Sequence, residues 1–487
     1  MPIRLLDFDL HILNMRNRMP FRYGIVTMTA LPHLFVRARV DVDGREADGI
    51  AADGLAPKWF TKVPDSSTEQ DIAEMLDVVQ AACRHAKEAG PAAAVFELWQ
   101  AIYAAQEAWA AGTDYPPLLW AFGVSLVERA IIDGFCRATA TTFAAAVHTN
   151  SLGMRLEALR PELGGQSAAD LLPERPLARI IVRHTIGLID PLTDDEIAPA
   201  DRVDDGLPQS LDASIRAYGL THFKIKIGGE IDADRERLQR IAALLDARNV
   251  DYRHTLDGNE TYHDAADFRA LWERLNADPA LRGFLKRLLF VEQPFQRDIA
   301  LSAEVGAALR GWSERPPIII DESDGALSSA PAALESGYVG TSHKNCKGIF
   351  KGIANTCLIR HRRRQAPGAL PIISGEDLCN LGPVALLEDL AVLATLGIEH
   401  AERNGHHYFA GLSMLPQEVQ AQMLTAHGDL YRPHATADGR QFPTLAVEDG
   451  SVAVGSVTAA PFGPAIALDP ARFTPVAAWK FASLGLD

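Results

Sequence analysis

Cysteine is scarce and unpatterned in this chain. There are five (Cys83, Cys136, Cys346, Cys357 and Cys379), an odd number at irregular spacing with no C-x-x-C pair. That excludes a readable disulfide framework or zinc motif, and reduced thiols in a cytoplasmic protein are expected. Basic charge is also short: 47 Lys and Arg against 63 Asp and Glu give a net charge of −16. Such a balance argues against nucleic acid or an anionic membrane as the main partner. The one basic run, Arg360-His361-Arg362-Arg363-Arg364, reads as the solvated end of a helix before Pro367. No uninterrupted apolar run reaches the roughly 20 residues of a membrane span. The first stretch carries Arg4, Asp7 and Asp9 among its apolar residues, so a signal peptide is not expected.

What is present is a globular composition, 47% hydrophobic and 23% charged over 487 residues. That length suits two or three domains with a sizeable core. Three zones follow one another. Residues 1–175 open with strand-like runs ("IRLLDFDLHIL", "TALPHLFVRARVDVDG", "ADGIAADG") and continue in long helical patterns, the last being "LLWAFGVSLVERAIIDGFCRATATTFAAAV". Strands followed by helices predict an α+β domain. The stretch "EALRPELGGQSAADLLPERP" reads as a linker or insertion. Residues 176–405 change rhythm, and residues 406–487 are rich in Gly, Pro and short β-like runs, predicted to pack back on the first zone.

In the middle zone, apolar strand-like runs alternate with amphipathic helical stretches such as "DADRERLQRIAALLDARN". The strands predicted are "RIIVRHTIGL", "THFKIKI", "DYRHTLD", "RLLFVEQP", "PPIIIDES", "YVGTSHK", "LPIISGED" and "TLGIEHA". Eight such units in about 230 residues fit a TIM-like (β/α) barrel. In "THFKIKIGG", Phe223, Ile225 and Ile227 fall on one face and Lys224 and Lys226 on the other. A parallel strand is covered on both faces, so two lysines on its inner face require partners.

The C-terminal strand ends of such a barrel form its site. They carry Lys224 and Lys226, then Asp257 and Asn259, Glu292, Asp321 and Glu322, Lys344 and Lys347, Glu376 and Asp377, and Glu399, His400 and Glu402. Asp257, Glu292 and Asp321 come from three consecutive strands, at spacings of 35 and 29 residues that each match one βα unit. Three uncompensated carboxylates repel one another, and a hard divalent cation resolves the repulsion while leaving positions for substrate oxygens. Lys226 and Lys344, on opposite sides of the barrel, would flank that cation. Desolvation and neighbouring positive charge make a lysine available as a general base. The set suits removal of a proton α to a carboxylate.

In this pattern the chain resembles the enolase superfamily, most nearly its muconate-lactonizing-enzyme subgroup. The matching elements are K-x-K at Lys224/Lys226, D-x-N at Asp257/Asn259, E-Q-P at Glu292–Pro294, D-E-S at Asp321–Ser323 and K-x-x-K at Lys344/Lys347. "ERAIIDGFCRA" resembles the helix before the family's first barrel strand. A lysine base paired with Mg²⁺ is an established pattern of that superfamily. The resemblance implies an N-terminal α+β capping domain on a (β/α)7β barrel. It implies that Asp257, Glu292 and Asp321 bind Mg²⁺ (or Mn²⁺), and that Lys226 acts as base with Lys224 beside it touching the substrate carboxylate. Lys344 would act from the opposite face, with Lys347 kept as the other candidate for that role. Asn259 and Glu322 would stand behind the metal, and Glu376, His400 and Glu402 near the substrate. Cap segments "NRMPFRYG" and "DGLAPKWFTK" would close over the site. Strand seven lacks the histidine base of the mandelate-racemase subgroup. His343 and His400 are expected to pack or to bind substrate, and the pair His406-His407 to be structural.

The expected activity is Mg²⁺-dependent α-proton abstraction from a small-molecule carboxylate through an enediolate, giving racemisation, epimerisation or cycloisomerisation. The alternatives are an acid-sugar dehydratase of the same fold, a noncatalytic ligand-binding barrel or a metal-dependent aldolase. A cytoplasmic homo-oligomer is expected.

Overall fold

The computed structural model describes residues 1–248, 251–366, 368 and 371–486. Asn249, Pro367 and Leu370, which end or begin three of the segments predicted above, lie outside the described residues.

The chain begins with an antiparallel sheet of β1 (Ile3–Tyr23), β2 (Val26–Val42) and β3 (Arg45–Gly54). Its inner face, with Leu34, Val36, Ala38 and Val40 buried, packs against helix α3 (Pro117–Ala138). Helices α1 (Thr68–Glu88) and α2 (Val95–Ala110) complete the layer. The predicted loop "NRMPFRYG" is instead the last third of β1. After an irregularity between Arg16 and Phe21, pairing resumes at Phe21↔Met28 and runs to Tyr23↔Val26, leaving Gly24 and Ile25 as the turn. The long third helical pattern divides where Ala140 takes φ 50°, and Thr142 caps a new helix, Phe143–His148, by accepting from the Ala145 amide. The predicted linker is a run of short helical turns whose Leu163 and Leu171 are buried.

Among the described residues, eight parallel strands form the barrel: β4 (Arg179–Ile186), β5 (His222–Lys226), β6 (Arg253–Asp257), β7 (Leu288–Glu292), β8 (Ile318–Ile320), β9 (Gly340–His343), β10 (Ile372–Gly375) and β11 (His400–Arg403). Each pairs with its sequence neighbour, and β11 closes on β4 through His400↔Ile181 to Arg403↔His184. This is the TIM-like barrel with an α+β cap expected from the alternation. The last strand is shifted from its expected place. Thr395 and Leu396 end the helix Ala385–Leu396, Gly397 caps it at φ 68°, and the strand itself is "HAER". The basic run ends the helix Ile349–Gln365, with Arg363 and Arg364 exposed.

After the barrel, Ser451–Ala453 pairs antiparallel with the start of β4, and Thr474–Pro475 pairs with β1 at Ile12 and His11. Asn14 donates to the Ser483 carbonyl at 2.9 Å. The chain's tail thus spans barrel and cap.

Candidate active site

β5 lies parallel between β4 and β6, so its two faces are the helix layer and the barrel interior. Phe223 and Ile225 take the first, and Lys224 and Lys226 take the second. The Lys224 ammonium sits among four carboxylates: Asp257 at 2.9 Å, Glu292 at 2.9 Å, Glu376 at 2.8 Å and Glu402 at 2.9 Å. Burial alone would favour a neutral amine, but these carboxylates outweigh it and hold Lys224 well above the ordinary lysine range. Lys226 has one carboxylate partner, Asp257, at 2.6 Å.

The turn after β6 brings Asp257 to the mouth in a strained conformation. Asn259 and Glu260 hold φ 42° and 63°, and a Cβ at Gly258 would lie 2.7 Å from the Pro294 Cα, so only glycine lets this turn pack against the turn after β7. The Asn259 amide donates to Asp257 at 2.8 Å, and its side chain reaches Glu322 at 3.4 Å. Gln293, at φ 35°, accepts from the amides of Asp321 (2.7 Å) and Ser323 (3.2 Å), fixing the turn after β8. Asp321 is held by Lys344 at 2.5 Å and Lys347 at 2.7 Å.

Glu292 stands apart electrostatically. Burial, with Glu376, Asp257 and Asp321 nearby, pushes it well above the carboxylate range. Asp257 and Asp321 go the other way, because their lysines outweigh burial. Burial beside Asp321 and Glu260 lifts Glu322 to about 7. Asp257, Glu292 and Asp321 thus converge, but each is engaged by lysine. Among the described residues no three His, Cys, Asp or Glu side chains stand close enough together to hold a metal ion.

Lys224, Lys226, Asn259, Lys344 and Glu402 line one cavity of about 40 Å³, closed on the cap side by Phe21, Tyr23, Met28 and Trp59. Lys344 enters opposite Lys226, with the Trp59 ring centre 4.5 Å from its ammonium. Burial opposes the charge of Lys344, but Asp321 outweighs it and raises the group above its ordinary range.

Three expected residues lie elsewhere. Lys347 is turned behind β9, donating to the Asp321 carbonyl at 2.7 Å and the Ser342 hydroxyl at 2.8 Å. Glu376 is inside the barrel, bound to Arg183 and Lys224, and burial is overcome by those cations to hold it well below the usual range. His400 begins β11 and so lies at the barrel's foot, two residues before Glu402. Its ring is 5.5 Å from His222, and burial brings it down to about 3. The position at the mouth expected for His400 is corrected on that ground. His343 is buried against Asn345 at 3.1 Å, and His406 packs on His184 at 3.2 Å.

One contributor, Arg183, escaped the sequence reading, and another, Asp377, was placed at a strand end without a role. Arg183 lies between Val182 and His184 in "RIIVRHTIGL", without the apolar alternation that singled out Lys224 and Lys226. Asp377, lifted by burial to about 7 and bound to Arg403 at 2.8 Å, lines the cavity wall.

The capping sheet and helices over a closed parallel barrel form a fold that solved structures share. The chain is similar to the muconate lactonizing enzyme from Pseudomonas fluorescens (15% identity, TM-score 0.55, covering 96% of this chain and 98% of that one). It is similar to a dipeptide epimerase from Enterococcus faecalis, solved with Mg and L-Leu-L-Tyr (14%, 0.56, 95% and 99%). An isomerase from Streptomyces coelicolor aligns likewise (16%, 0.57, 96% and 98%). These likenesses establish the shared fold. No family model and no curated protein sequence matches the chain.

Proposed function

We propose that the protein abstracts the α-proton of a small carboxylate substrate, forming an enediolate, and returns a proton to give racemisation, epimerisation or cycloisomerisation. The observation that carries this reading is that Lys226 and Lys344, from strands on opposite sides of the barrel, line one cavity. The fold's relatives include an epimerase, an isomerase and a muconate lactonizing enzyme, which is consistent with it.

Lys224, held cationic by four carboxylates, pairs with the substrate carboxylate and fixes its orientation. Lys226, restrained by Asp257 alone, is the amine placed to remove the proton. Lys344, kept as an ammonium by Asp321, is placed to deliver one from the opposite face. Trp59 covers Lys344 and keeps bulk water from quenching the carbanion.

The donor types suit a hard divalent cation, although Asp257, Glu292 and Asp321 would have to leave their lysines and draw closer together to hold one. Asp257, Glu292 and Asp321 offer carboxylate oxygens, the ligand type such a cation takes. Mg²⁺ held by these three residues would supply electrostatic stabilisation where an enediolate oxygen develops. Lys224 must first yield Asp257 and Glu292, since its ammonium lies 2.9 Å from both. The acid-sugar dehydratase reading, which needs Glu376 or Glu402 as the acid, loses Glu376 to Arg183 and Lys224 but keeps Glu402, which lines the cavity.

The test is proton–deuterium exchange in D₂O over acid sugars, N-acylamino acids and dipeptides, with Mg²⁺ or Mn²⁺ supplied. Exchange with one class, lost in Lys226→Ala and dependent on Asp257, is expected. Exchange that survives Lys226→Ala combined with Lys344→Ala would overturn the two-lysine mechanism. Undiminished exchange in chelator and in Asp257→Asn would remove the metal.

A further inference from the structure

The cavity is too small for the reaction proposed. About 40 Å³ holds a few waters, whereas ligand pockets run to roughly 300–1,000 Å³. Access therefore depends on the segment after β3, residues 55–63, which carries Trp59. Four side chains hold this segment down. Arg297, just past the turn after β7, donates to the Phe60 carbonyl at 2.8 Å and the Trp59 carbonyl at 2.9 Å. The same guanidinium forks onto Glu260, with both Nε–Oε1 and Nη2–Oε2 at 2.7 Å. Lys62 donates to the Asn259 carbonyl and lies 3.7 Å from Glu260. Tyr23 donates to the Pro57 carbonyl at 2.9 Å, tying the β1–β2 hairpin to the same segment.

Glu260 is buried and held at φ 63°, in the turn that also places Asp257 and Asn259. One guanidinium therefore joins the turn at the cavity's edge to the backbone at the base of Trp59. Outside the segment there is room to move. A cleft of about 600 Å³ lies between Thr61, Lys62 and Val63 and the chain at Asp114–Pro116. Val63, at the segment's end, is 52% exposed, whereas Leu55, Ala56, Trp59 and Phe60 are buried and the Phe60 ring centre lies 4.3 Å from that of Phe122.

We propose that Arg297 is the latch of this lid: a positioning residue that holds Trp59 over Lys344 and, by releasing the Trp59 and Phe60 carbonyls, opens the cavity to substrate. The catalytic part of this proposal rests on the reading of Lys344 given above; the mechanical part does not. Two carbonyls held by one charge-assisted fork make the segment's closure cooperative, since displacing Arg297 frees both at once. A short-chain amine at this position could hold one carbonyl but not reproduce the fork.

The experiment measures acrylamide quenching of Trp59, read as the difference between each protein and its Trp59→Phe counterpart. Arg297→Ala is expected to raise Trp59 quenching about threefold or more, as local opening of a lid requires, while quenching in the Trp59→Phe background stays unchanged. Arg297→Lys is expected to fall between. On a substrate found by the exchange screen, Arg297→Ala should raise KM and lower kcat together, with Arg297→Lys again intermediate. Unchanged Trp59 quenching in Arg297→Ala would overturn the latch, whether or not any substrate is found. A rise without a change in either kinetic constant would overturn its control of the site. Should quenching rise in the Trp59→Phe background too, showing general unfolding, Glu260→Gln gives the same reading with a neutral side chain of similar shape. Failure of that variant to expose Trp59 would equally refute the latch.

Discussion

Asp321 and Asp324 are three residues apart, and Lys344 and Lys351 seven, yet they form two very different buried pairs. Lys344 meets Asp321 at 2.5 Å and faces the cavity under Trp59. Lys351 meets Asp324 at 3.1 Å on the flank of the barrel. There Asp324 also accepts from Thr341 at 3.0 Å and Asn355 at 3.2 Å, and Asn355 in turn holds Arg160. Both lysines are almost completely buried. Their charge states diverge because their surroundings do. Near Lys344 the acids prevail, and the ammonium is held. Near Lys351 burial dominates over Asp324, Lys347 and Arg160 add repulsion, and the group is brought down to about 8. A depressed lysine is a usual mark of a catalytic base. Here it belongs to the pair that does not line the cavity, so access to the cavity, rather than perturbation, separates the reactive network from the structural one.

The contrast can be broken most sharply by activity. Lys226→Ala is expected to lower the α-proton exchange rate by about a thousandfold, the scale of a lost general base. Lys351→Met should leave it within a small factor at a temperature where both variants are folded. Similar losses in the two would erase the distinction. Stability should then reverse the order. Lys351→Met strands a buried carboxylate at Asp324, an expected cost of about 3 kcal/mol in chemical denaturation. Adding Asp324→Asn, which keeps the acceptor for Thr341 and Asn355 without the charge, should recover at least half. No recovery would mean that packing, and not the charge, made Lys351 necessary.

The smallest effect is in pH. Lys351 titrates near 8 in the folded chain against 10.5 for an ordinary lysine. Between those values the unfolded chain binds more protons than the folded one, so this group makes stability rise with pH, by about 1 kcal/mol per unit. Below pH 8 the destabilisation is fully present, and above 10.5 it is gone. The pH dependence of unfolding for the native protein, minus that of Lys351→Met, should show this slope. A flat difference would place Lys351 in a less desolvating environment.

Much of the frame was legible in the chain. The eight-fold alternation, the face reversal in "THFKIKIGG" and the acids that end β6, β7 and β8 depend on local periodicity, which a strand expresses wherever it lies. What escaped depended on register and on neighbours distant in sequence. His400 was placed at the mouth because the strand was taken to begin five residues early; the helix Ala385–Leu396 continues through Thr395 and Leu396, and Gly397 ends it. "NRMPFRYG" reads as a loop for its Asn, Pro and Gly, but β2 offers it a partner strand as far as Tyr23. Glu376 looked free to act on substrate until Arg183, 193 residues earlier in the chain, took its carboxylate.

By itself, the sequence determined the barrel, the cap and which strand ends carry charge, because each follows from spacing along one short segment. Only the tertiary structure decided which lysine each acid holds, that Lys347 turns away while Lys344 enters the cavity, and that Trp59 closes over it. Those outcomes depend on which charges share one buried volume, and burial makes each pairing strong enough to settle the protonation of its neighbours.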